Sequence, residues 1–280
     1  MNVPLSLLEM PLVSAYVHEV SGIFLDSTKD YLVQSRLGPL LEREGISSYS
    51  ELIRLAREDL TGHLRGSIVD AVATNETSFF RDQRPFDLMA FKVIPDILQR
   101  QVASGRVGKP RLDIWCAACS TGQEVYSLTM LLKEMLFDLD RYWIRILGTD
   151  ISEWALTVAS RGIYSAGEAA RGLSERRMQR FFVPVEGGYK ISDELRALAT
   201  YAPLNLLDRF RHVGTFDVVF CRNVSIYFSI PNRAKLFDAL ADQLRTDGIL
   251  IIGGSESLVG VTQRFAREDF RGAIYYRKIR

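Results

Sequence analysis

The chain has 280 residues, which at roughly 100 to 200 residues per domain corresponds to one large domain or to one medium domain with a small partner. Apolar residues make up 47% and charged residues 25%, a globular composition that excludes disordered and fibrous proteins. The 35 basic and 34 acidic residues leave a net charge of +1, which argues against a general nucleic-acid-binding protein.

The sequence shows neither a membrane-spanning segment nor a secretory signal. No apolar run approaches the roughly 18 residues of a membrane span, so we expect no insertion into a membrane. The N-terminus carries Glu9 and has no basic region followed by an apolar block, which argues against a secretory signal. Three cysteines, an odd number, fit a reducing compartment. These features predict a cytoplasmic protein.

Residues 1–74 have a helical pattern throughout. A first helix is indicated by apolar residues at helical spacing, namely Leu5, Leu8, Leu12, Ala15 and Val20. A second helix is predicted from near Ser27, and Pro39 can kink or break it. A third begins at Ser48 and continues to about Ala73. We therefore expect a small all-helical N-terminal domain.

After residue 110, short apolar runs alternate with helical patterns. The runs cover residues 111–116, 143–148, 216–221 and 249–253, and helices are predicted at 124–136, from 152, and at about 231–244. Such alternation indicates βαβ units around a parallel sheet. The final run, 273–278, follows no helix of useful length, so we expect it to pair antiparallel at the end of the sheet.

Two segments fall outside this alternation. Residues 164–203 contain short strand-like pieces and a turn at Gly187-Gly188, which predicts a small β-subdomain inserted into residues 111–280. Residues 75–110 contain several prolines and glycines and are predicted to be a linker that contributes to the ligand cleft.

The strongest local motif is the segment 114–124, in which a strand ends, small residues allow a tight turn, and a helix begins. The next strand ends at Asp150, whose carboxylate can accept both hydroxyls of a ribose. With one glycine in the turn rather than three, a nucleoside without phosphates fits better than a dinucleotide, and S-adenosylmethionine is the common one. The alternative is that Asp150 only caps the helix that follows.

Cys116 and Cys119 form an isolated Cys-x-x-Cys pair. A structural zinc site needs four ligands, and neither a second pair nor a histidine cluster is present, so we predict no metal. A redox pair is a second interpretation, and two small residues lining a tight turn is the favoured one.

Polar residues follow other predicted strands and precede the first. Residues 74–81 place amides, hydroxyls, a carboxylate and a guanidinium between the helical half and the sheet, where they can close the cleft or merely cap a helix. Arg222, Asn223 and Tyr227 follow the strand 216–221, and Asn205-Leu206 follows a strand end near residue 204. Polar groups directly after buried strands belong to the ligand edge of an open α/β sheet.

Together, these motifs resemble the chemotaxis receptor methyltransferases, CheR. The matching segments are Thr-Asn-Glu-Thr-Ser-Phe-Phe-Arg (74–81), Ala-Cys-Ser-Thr-Gly-Gln-Glu (118–124), Gly-Thr-Asp-Ile (148–151), Asn-Leu-Leu (205–207), Phe-Cys-Arg-Asn-Val-Ser-Ile-Tyr-Phe (220–228) and Gly-Gly-Ser-Glu (253–256). The resemblance covers essentially the whole chain. It implies a class I S-adenosylmethionine-dependent methyltransferase (Rossmann-like) domain with a small β-subdomain insert, preceded by a small all-helical domain. It also implies S-adenosyl-L-methionine as donor, S-adenosyl-L-homocysteine as product, and glutamates of methyl-accepting chemotaxis receptors as acceptors in adaptation.

The resemblance also implies roles for individual residues. Asn75, Thr77 and Arg81 would lie around the methionine moiety and methyl centre of the cofactor. Its remaining contacts would be Glu124 at the amino group, Asp150 at the ribose, Asn205 and Leu206 at the adenine, and Arg222 and Asn223 at the far wall. Arg81 and Tyr227 would be the catalytic pair, with Arg81 steering the acceptor carboxylate. A glutamate with a pKa near 4.3 is already ionised at pH 7, so no general base is expected.

Receptor docking is expected on the second helix. The family's basic docking surface is matched by Lys29 and Arg36, whereas Glu42 stands where relatives carry a further basic residue. Arg43 can substitute, because positions 29, 36 and 43 are about two helical turns apart. The alternative is a solvated charged face. Some family members bind a receptor-tail peptide through the β-subdomain, but the shorter loop before Gly187-Gly188 predicts no high-affinity tail binding here.

Two other functions remain open at this stage. One is a methyltransferase acting on another protein acceptor, which would need a basic or nucleophilic group at the methyl, and no histidine lies in the motifs. The other is a non-catalytic S-adenosylmethionine-binding regulator, which would be expected to have lost Arg81 or Tyr227.

Overall fold

The computed structural model describes residues 3–105, 107–208 and 210–279. The described helices are α1 (Glu9–Ser21), α2 (Asp30–Glu44), α3 (Tyr49–Glu58), α4 (His63–Val72), α5 (Arg84–Leu88), α6 (Ile94–Ala103), α7 (Gln123–Met135), α8 (Glu153–Arg161), α9 (Ala166–Ala170), α10 (Glu175–Phe181), α11 (Asp193–Arg196) and α12 (Ile230–Gln243). The described strands are β1 (Arg111–Ala117), β2 (Trp143–Asp150), β3 (Ile163–Tyr164), β4 (Phe182–Val185), β5 (Gly188–Ile191), β6 (Ala199–Pro203), β7 (Phe216–Cys221), β8 (Leu244–Ile252), β9 (Phe265–Phe270) and β10 (Ala273–Lys278).

Helices α1 to α4 form a separate apolar core at the N-terminus. The face of α1 that enters this core differs from the predicted one: Met10, Val13 and Val17 are buried, whereas Leu8 is 90% exposed and Leu12 is 39% exposed. Leu8 and Leu12 therefore do not mark the core face of α1, whereas Leu5 and Val20 of the same pattern pack against the core. Burial of the small helices in one shared core supplies most of their stability.

The third predicted helix is two helices. The Ser48 hydroxyl caps α3 by accepting a hydrogen bond from the backbone N–H of Glu51, as the sequence indicates. The chain then leaves the helix after residue 58, and the Asp59 carboxylate accepts hydrogen bonds from the backbone N–H groups of Thr61 and Leu64. Gly62, at φ 73°, provides the left-handed residue from which α4 starts. By contrast, α2 continues through Pro39 without a break.

The predicted linker, residues 75–110, is largely helical. Helix α5 leads through one wide π-helical turn (Met89–Val93) into α6, and Phe86, Met89 and Ile97 of this segment are buried in the core of the sheet. The segment is therefore a packed layer beneath the sheet rather than an irregular connection.

The main sheet has seven strands in the order β6-β2-β1-β7-β8-β10-β9. The five strands from β6 to β8 are parallel, and β10 pairs antiparallel with β8, which confirms the prediction for the last apolar run. Strand β9, which the sequence pattern does not indicate, adds an antiparallel edge beyond β10. The order reverses direction between β1 and β7, and ligands bind at this position in open α/β sheets. The predicted α/β fold after a helical N-terminal part is confirmed.

The insertion forms a small antiparallel sheet in the order β3-β5-β4. It is shorter than the predicted range 164–203, because β6 pairs with β2 and belongs to the main sheet. The connecting turn consists of Glu186 and Gly187, and Gly188 is already the first residue of β5.

The edge of the sheet opposite the ligand side is held by a buried charge cluster. The Asp113 carboxylate accepts hydrogen bonds from Arg111, Arg145 and Arg245 at 2.5 to 2.7 Å. Burial alone would raise the pKa of Asp113, but the hydrogen bonds and charges of these arginines lower it below its usual value.

Among the described residues, no helix has the length and apolar character needed to cross a lipid bilayer.

Candidate active site

A cleft lies at the carboxyl ends of β1, β2 and β7, at the reversal of strand order. Every residue predicted to hold the cofactor or to act in catalysis lines it: Asn75, Thr77, Arg81, Glu124, Asp150, Asn205, Leu206, Arg222, Asn223 and Tyr227. These residues come from five separate segments of the sequence, so their convergence depends on the fold rather than on their spacing. Whether they act as predicted remains a prediction.

The helical N-terminal part closes one side of this cleft. Gly22, at φ 73° after α1, approaches Leu207 so closely that a Cβ atom would lie 2.0 Å from its Cδ1. The backbone N–H of Phe24 donates to the Tyr227 carbonyl at 3.1 Å, and the Asn205 amide donates to the Val20 carbonyl at 3.2 Å. The side-chain N–H of Asn205, a predicted adenine contact, is thus used between the two parts of the molecule.

The Asp150 carboxylate is fixed by backbone groups. It accepts hydrogen bonds from the N–H groups of Ser120 at 2.7 Å and Ser152 at 3.0 Å. Burial raises the pKa of Asp150 above the usual aspartate value, although these hydrogen bonds oppose the shift. Ser120 has φ 51° and Ala118 has φ 63°, so the tight turn predicted after β1 is built from left-handed residues. The sequence motif did not reveal that Ser120 donates its backbone N–H to Asp150.

Glu124 and Arg222 form a buried ion pair in the cleft. The Nη1 atom of Arg222 lies 2.9 Å from Oε2 of Glu124, and the Arg222 side chain is 3% exposed. Its Nη2 atom donates to the Arg81 carbonyl at 2.9 Å and to the Asp82 carboxylate at 2.8 Å. Arg222 therefore connects the first turn of α7 with residues 75–82, which we call the methyl-centre loop.

The methyl-centre loop is held at several further points. The Ser120 hydroxyl donates to the Asn75 carbonyl at 2.9 Å, and Arg171 of the insert donates to the Thr77 carbonyl at 2.6 Å. Nη1 of Arg81 donates to the Glu76 carbonyl at 3.0 Å. Within the part of the chain that the structure describes, Arg81 has no carboxylate partner, so its charge is free to receive one.

Glu256 organises the turn after β7. Its carboxylate accepts hydrogen bonds from the backbone N–H groups of Asn223, Gly253 and Ser225, and from the Ser225 hydroxyl. Asn223 has φ 58°, and these bonds stabilise its left-handed backbone. No sequence pattern assigns this role to Glu256, because a glutamate after a strand has no distinctive sequence signal of its own.

The two thiols of the Cys-x-x-Cys pair are buried and not joined by a disulfide. Cys116 and Cys119 are free and buried, and burial raises the pKa of both thiols well above the usual range. The two thiols are therefore protonated at neutral pH, which fits the interpretation of small residues lining a tight turn. Cys119 itself lines the cleft.

The predicted docking residues lie on or next to α2, outside the cleft. Lys29 lies 3.6 Å from Asp26, and Arg43 is 63% exposed and bonded to Glu44. Arg36 is committed to the fold, since its Nη1 donates to the carbonyls of Val72 and Ala73 at the end of α4. Of the three cations, Arg36 has the least freedom to meet a partner.

The polar and apolar side chains that line the cleft fit S-adenosylmethionine. Asp150 would accept from the ribose hydroxyls, Glu124 would take the amino group, and Leu206 with Ile151 offers apolar surface to the adenine. The buried Nε atom of Arg222 has no hydrogen-bond partner within the described residues, so a polar acceptor from a ligand would satisfy it. The turn at residues 118–122 carries no glycine-rich phosphate cradle, in agreement with a nucleoside lacking phosphates.

Two family models match this chain. The model of the CheR methyltransferase SAM-binding domain matches residues 75–274, and the model of the CheR methyltransferase all-alpha domain matches residues 8–73. Together they account for both the helical part and the part built on the sheet.

Individual relatives are similar over nearly their full length. The chain is 37% identical over 266 residues to "Chemotaxis protein methyltransferase Cher2" of Pseudomonas putida, covering 93% of this chain and 94% of that protein. It is 37% identical to chemotaxis protein methyltransferase 1 of Pseudomonas aeruginosa, with 96% and 97% covered. The same identity holds for chemotaxis protein methyltransferase 1 of Vibrio cholerae, with 94% of each chain covered.

Proposed function

The chain belongs to the CheR methyltransferase family, and we propose that it methylates side-chain carboxylates of specific glutamates in chemoreceptors. It is an S-adenosylmethionine-dependent methyltransferase of chemotaxis. The observation that supports the acceptor most directly is the position of Arg81, a guanidinium that lines the cofactor cleft and has no carboxylate partner among the described residues. The products would be glutamate methyl esters and S-adenosylhomocysteine.

The residues of the cleft would act by positioning. When bound, the cofactor supplies a methyl group on a positively charged sulfur. Asp150 and Glu124 would hold its ribose and amino group, and Arg81 would orient the acceptor carboxylate through its planar pair of N–H donors. Tyr227 would shape the space around the methyl. Because positioning two reactants can supply roughly 7–11 kcal/mol, no covalent step on the protein is required.

The described lining of the cleft offers neither histidine nor lysine as a general base, which supports a carboxylate acceptor. The residues that line the cleft include no histidine and no lysine, within the ranges that the structure describes. An amine or thiol acceptor has to lose a proton before it attacks, whereas a glutamate carboxylate is ionised at pH 7. The arrangement therefore favours a glutamate over the alternative acceptors.

Transfer of labelled methyl to receptor-bearing membranes tests this function. We expect label in the receptor band that mild base releases as methanol, since methyl esters are base-labile. Receptor whose acceptor glutamates are changed to glutamine is the matched control and should take up no label. Label that survives mild base would contradict the proposal and indicate an amine or thiol acceptor, and S-adenosylhomocysteine binding without any transfer would indicate a regulator.

We also propose how the domains divide the task. Residues 1–74 would dock the receptor through Lys29 and Arg43, while the domain that follows holds the cofactor. Arg43 is exposed and is therefore a better docking candidate than Arg36, whose guanidinium donates to backbone carbonyls. The receptor tail would not be bound tightly.

A further inference from the structure

We infer that Asp82 is a positioning residue for Arg81 and acts through Arg222; this inference rests on the proposed function. Asp82 is 57% exposed and follows Arg81 directly in the methyl-centre loop. The link between them is the Arg222 guanidinium, whose Nη2 atom donates both to the Arg81 carbonyl and to the Asp82 carboxylate. One nitrogen therefore holds both the carbonyl of the peptide that joins the two residues and the side chain of the second residue.

The backbone around Arg81 needs such support because it is unfavourable on both sides. Phe80 has φ 47° and Asp82 has φ 57°, and both lie in the left-handed region that residues with a side chain seldom occupy. A chain held in this way relaxes when its contacts are lost, and strain of this kind persists only where the surroundings fix it.

The Phe80 side of this arrangement is held by packing. The Phe80 ring is buried, it contacts Phe86 edge-on at 5.0 Å, and the Arg177 guanidinium lies 3.7 Å from the ring centre. The backbone N–H of Phe80 donates to the Ser127 hydroxyl at 2.9 Å. The residue before Arg81 is therefore anchored to the core of the sheet.

The Asp82 side has no comparable packing, because Asp82 is exposed to solvent. The Asp82 carboxylate is held by its 2.8 Å ion pair with Nη2 of Arg222. Nη1 of the same guanidinium pairs with Glu124. Arg81 itself contributes little to its own placement, since its guanidinium donates to one carbonyl of the same loop. The direction in which the Arg81 side chain leaves the loop thus depends on Asp82.

Three variants separate this role from a purely conformational one. Asp82→Asn keeps the size and the tolerance of a left-handed backbone but removes the charge, whereas Asp82→Glu keeps the charge and tolerates that backbone less well. Asp247→Asn is the matched control: Asp247 has φ 60°, is 57% exposed, lies 3.9 Å from Arg100, and does not line the cleft.

If Asp82 positions Arg81, kcat of Asp82→Asn falls about 10- to 100-fold, which is the scale expected when a reacting group is misplaced. The dissociation constant of S-adenosylhomocysteine and the receptor KM should each stay within about threefold of wild type, because the interaction lost matters in the transition state. Asp82→Glu should retain more kcat than Asp82→Asn, and Asp247→Asn should match the wild type. Amide hydrogen exchange of residues 80–82 should quicken in Asp82→Asn without a change at β1.

Other results overturn the inference. Asp82→Asn that keeps at least half of the wild-type kcat shows that the backbone needs no carboxylate. Asp82→Glu that loses more kcat than Asp82→Asn shows that only the left-handed conformation matters. A parallel loss of kcat and cofactor affinity shows a collapse of the cleft. Wild-type protein that forms no base-labile methyl ester refutes the proposed function instead, while the exchange measurement still tests the bond between Asp82 and Arg222.

Discussion

The Asp150 carboxylate at the end of β2 accepts a 2.7 Å hydrogen bond from the backbone N–H of Ser120 in the turn after β1. This bond joins the ends of two neighbouring parallel strands, β1 and β2, beside the position between β1 and β7 where the strand order reverses. The same carboxylate is the candidate ribose acceptor, so its protonation state should control cofactor binding.

We predict that cofactor affinity falls as the solution is acidified and that Asp150 is responsible. Because burial raises the pKa of Asp150, the carboxylate takes up a proton above the usual aspartate value of about 3.9, and protonation removes an acceptor from the ribose. Calorimetry with S-adenosylhomocysteine from pH 7 to pH 5 measures the effect. Asp150→Asn should bind more weakly by about 1.5–3 kcal/mol at pH 7 and should depend less on pH. A variant that binds as tightly as wild type would remove Asp150 from the site.

Arg81→Lys should lower kcat far more than cofactor affinity. An ammonium group keeps the charge but cannot present two parallel N–H donors to a carboxylate, so we expect a loss of about 100-fold in kcat. The dissociation constant of S-adenosylhomocysteine should change by less than about threefold, as expected for a group that acts on the acceptor. Arg84→Lys is the control, since Arg84 is exposed nearby, donates to the Gly272 carbonyl and does not line the cleft. Equal losses in both variants would show that Arg81 has no special role.

The maximal rate should be nearly constant from pH 7 to pH 8.5. The acceptor carboxylate titrates near pH 4.3, far below this range, and the described cleft has no histidine whose deprotonation would accelerate the reaction. Initial rates at saturating donor and receptor give the profile. A steep rise controlled by one group near pH 8 would contradict direct attack by a carboxylate.

Much of the fold can be predicted from local sequence patterns. Where the prediction and the structure differ, the difference has a physical cause. The strand 216–221 was predicted at its observed bounds because an uninterrupted apolar run suits a strand buried on both faces. The sequence predicts a linker where α5 and α6 lie, because Pro85 and Pro95 suggest breaks, yet proline is tolerated in the first turn of a helix. The sequence does not indicate strand β9, because it is a charged edge strand without regular alternation.

In the candidate site, the sequence predicts the functional side chains but not the backbone contacts that position them. The ten predicted side chains that line the cleft follow or precede buried strands and carry recognisable chemistry, so the sequence alone identifies them as candidates. The groups that the sequence did not reveal act through the backbone or through distant partners. Ser120 contributes its N–H, Glu256 fixes the backbone of Asn223, and Arg171 reaches the methyl-centre loop from the insert. Contacts between segments far apart in sequence leave no local pattern.

Lys29 and Arg36 should respond differently to loss of charge, although the sequence places both on one docking surface. Arg36→Gln should lower the free energy of unfolding by about 1–3 kcal/mol, because Arg36 donates to the carbonyls that end α4. Lys29→Gln removes only an exposed pair and should change it by less than about 0.5 kcal/mol. Urea unfolding measures the difference, and receptor KM at low and high salt measures docking. Lys29→Gln with an unchanged KM at low salt would exclude Lys29 from the docking surface.

The isolated C-terminal tail of a receptor should not bind tightly to the small sheet. An added peptide strand would need a free backbone edge, and β4, at one edge of this sheet, carries Pro184, which has no N–H to offer. The hairpin also packs closely against β3, since a Cβ atom on Gly188 would lie 2.1 Å from the Tyr164 carbonyl oxygen. Calorimetric titration of the tail peptide should therefore resemble that of a scrambled peptide. Saturable binding near or below micromolar, lost on scrambling, would show that the short hairpin still anchors a tail and that docking does not rest on the helical part alone.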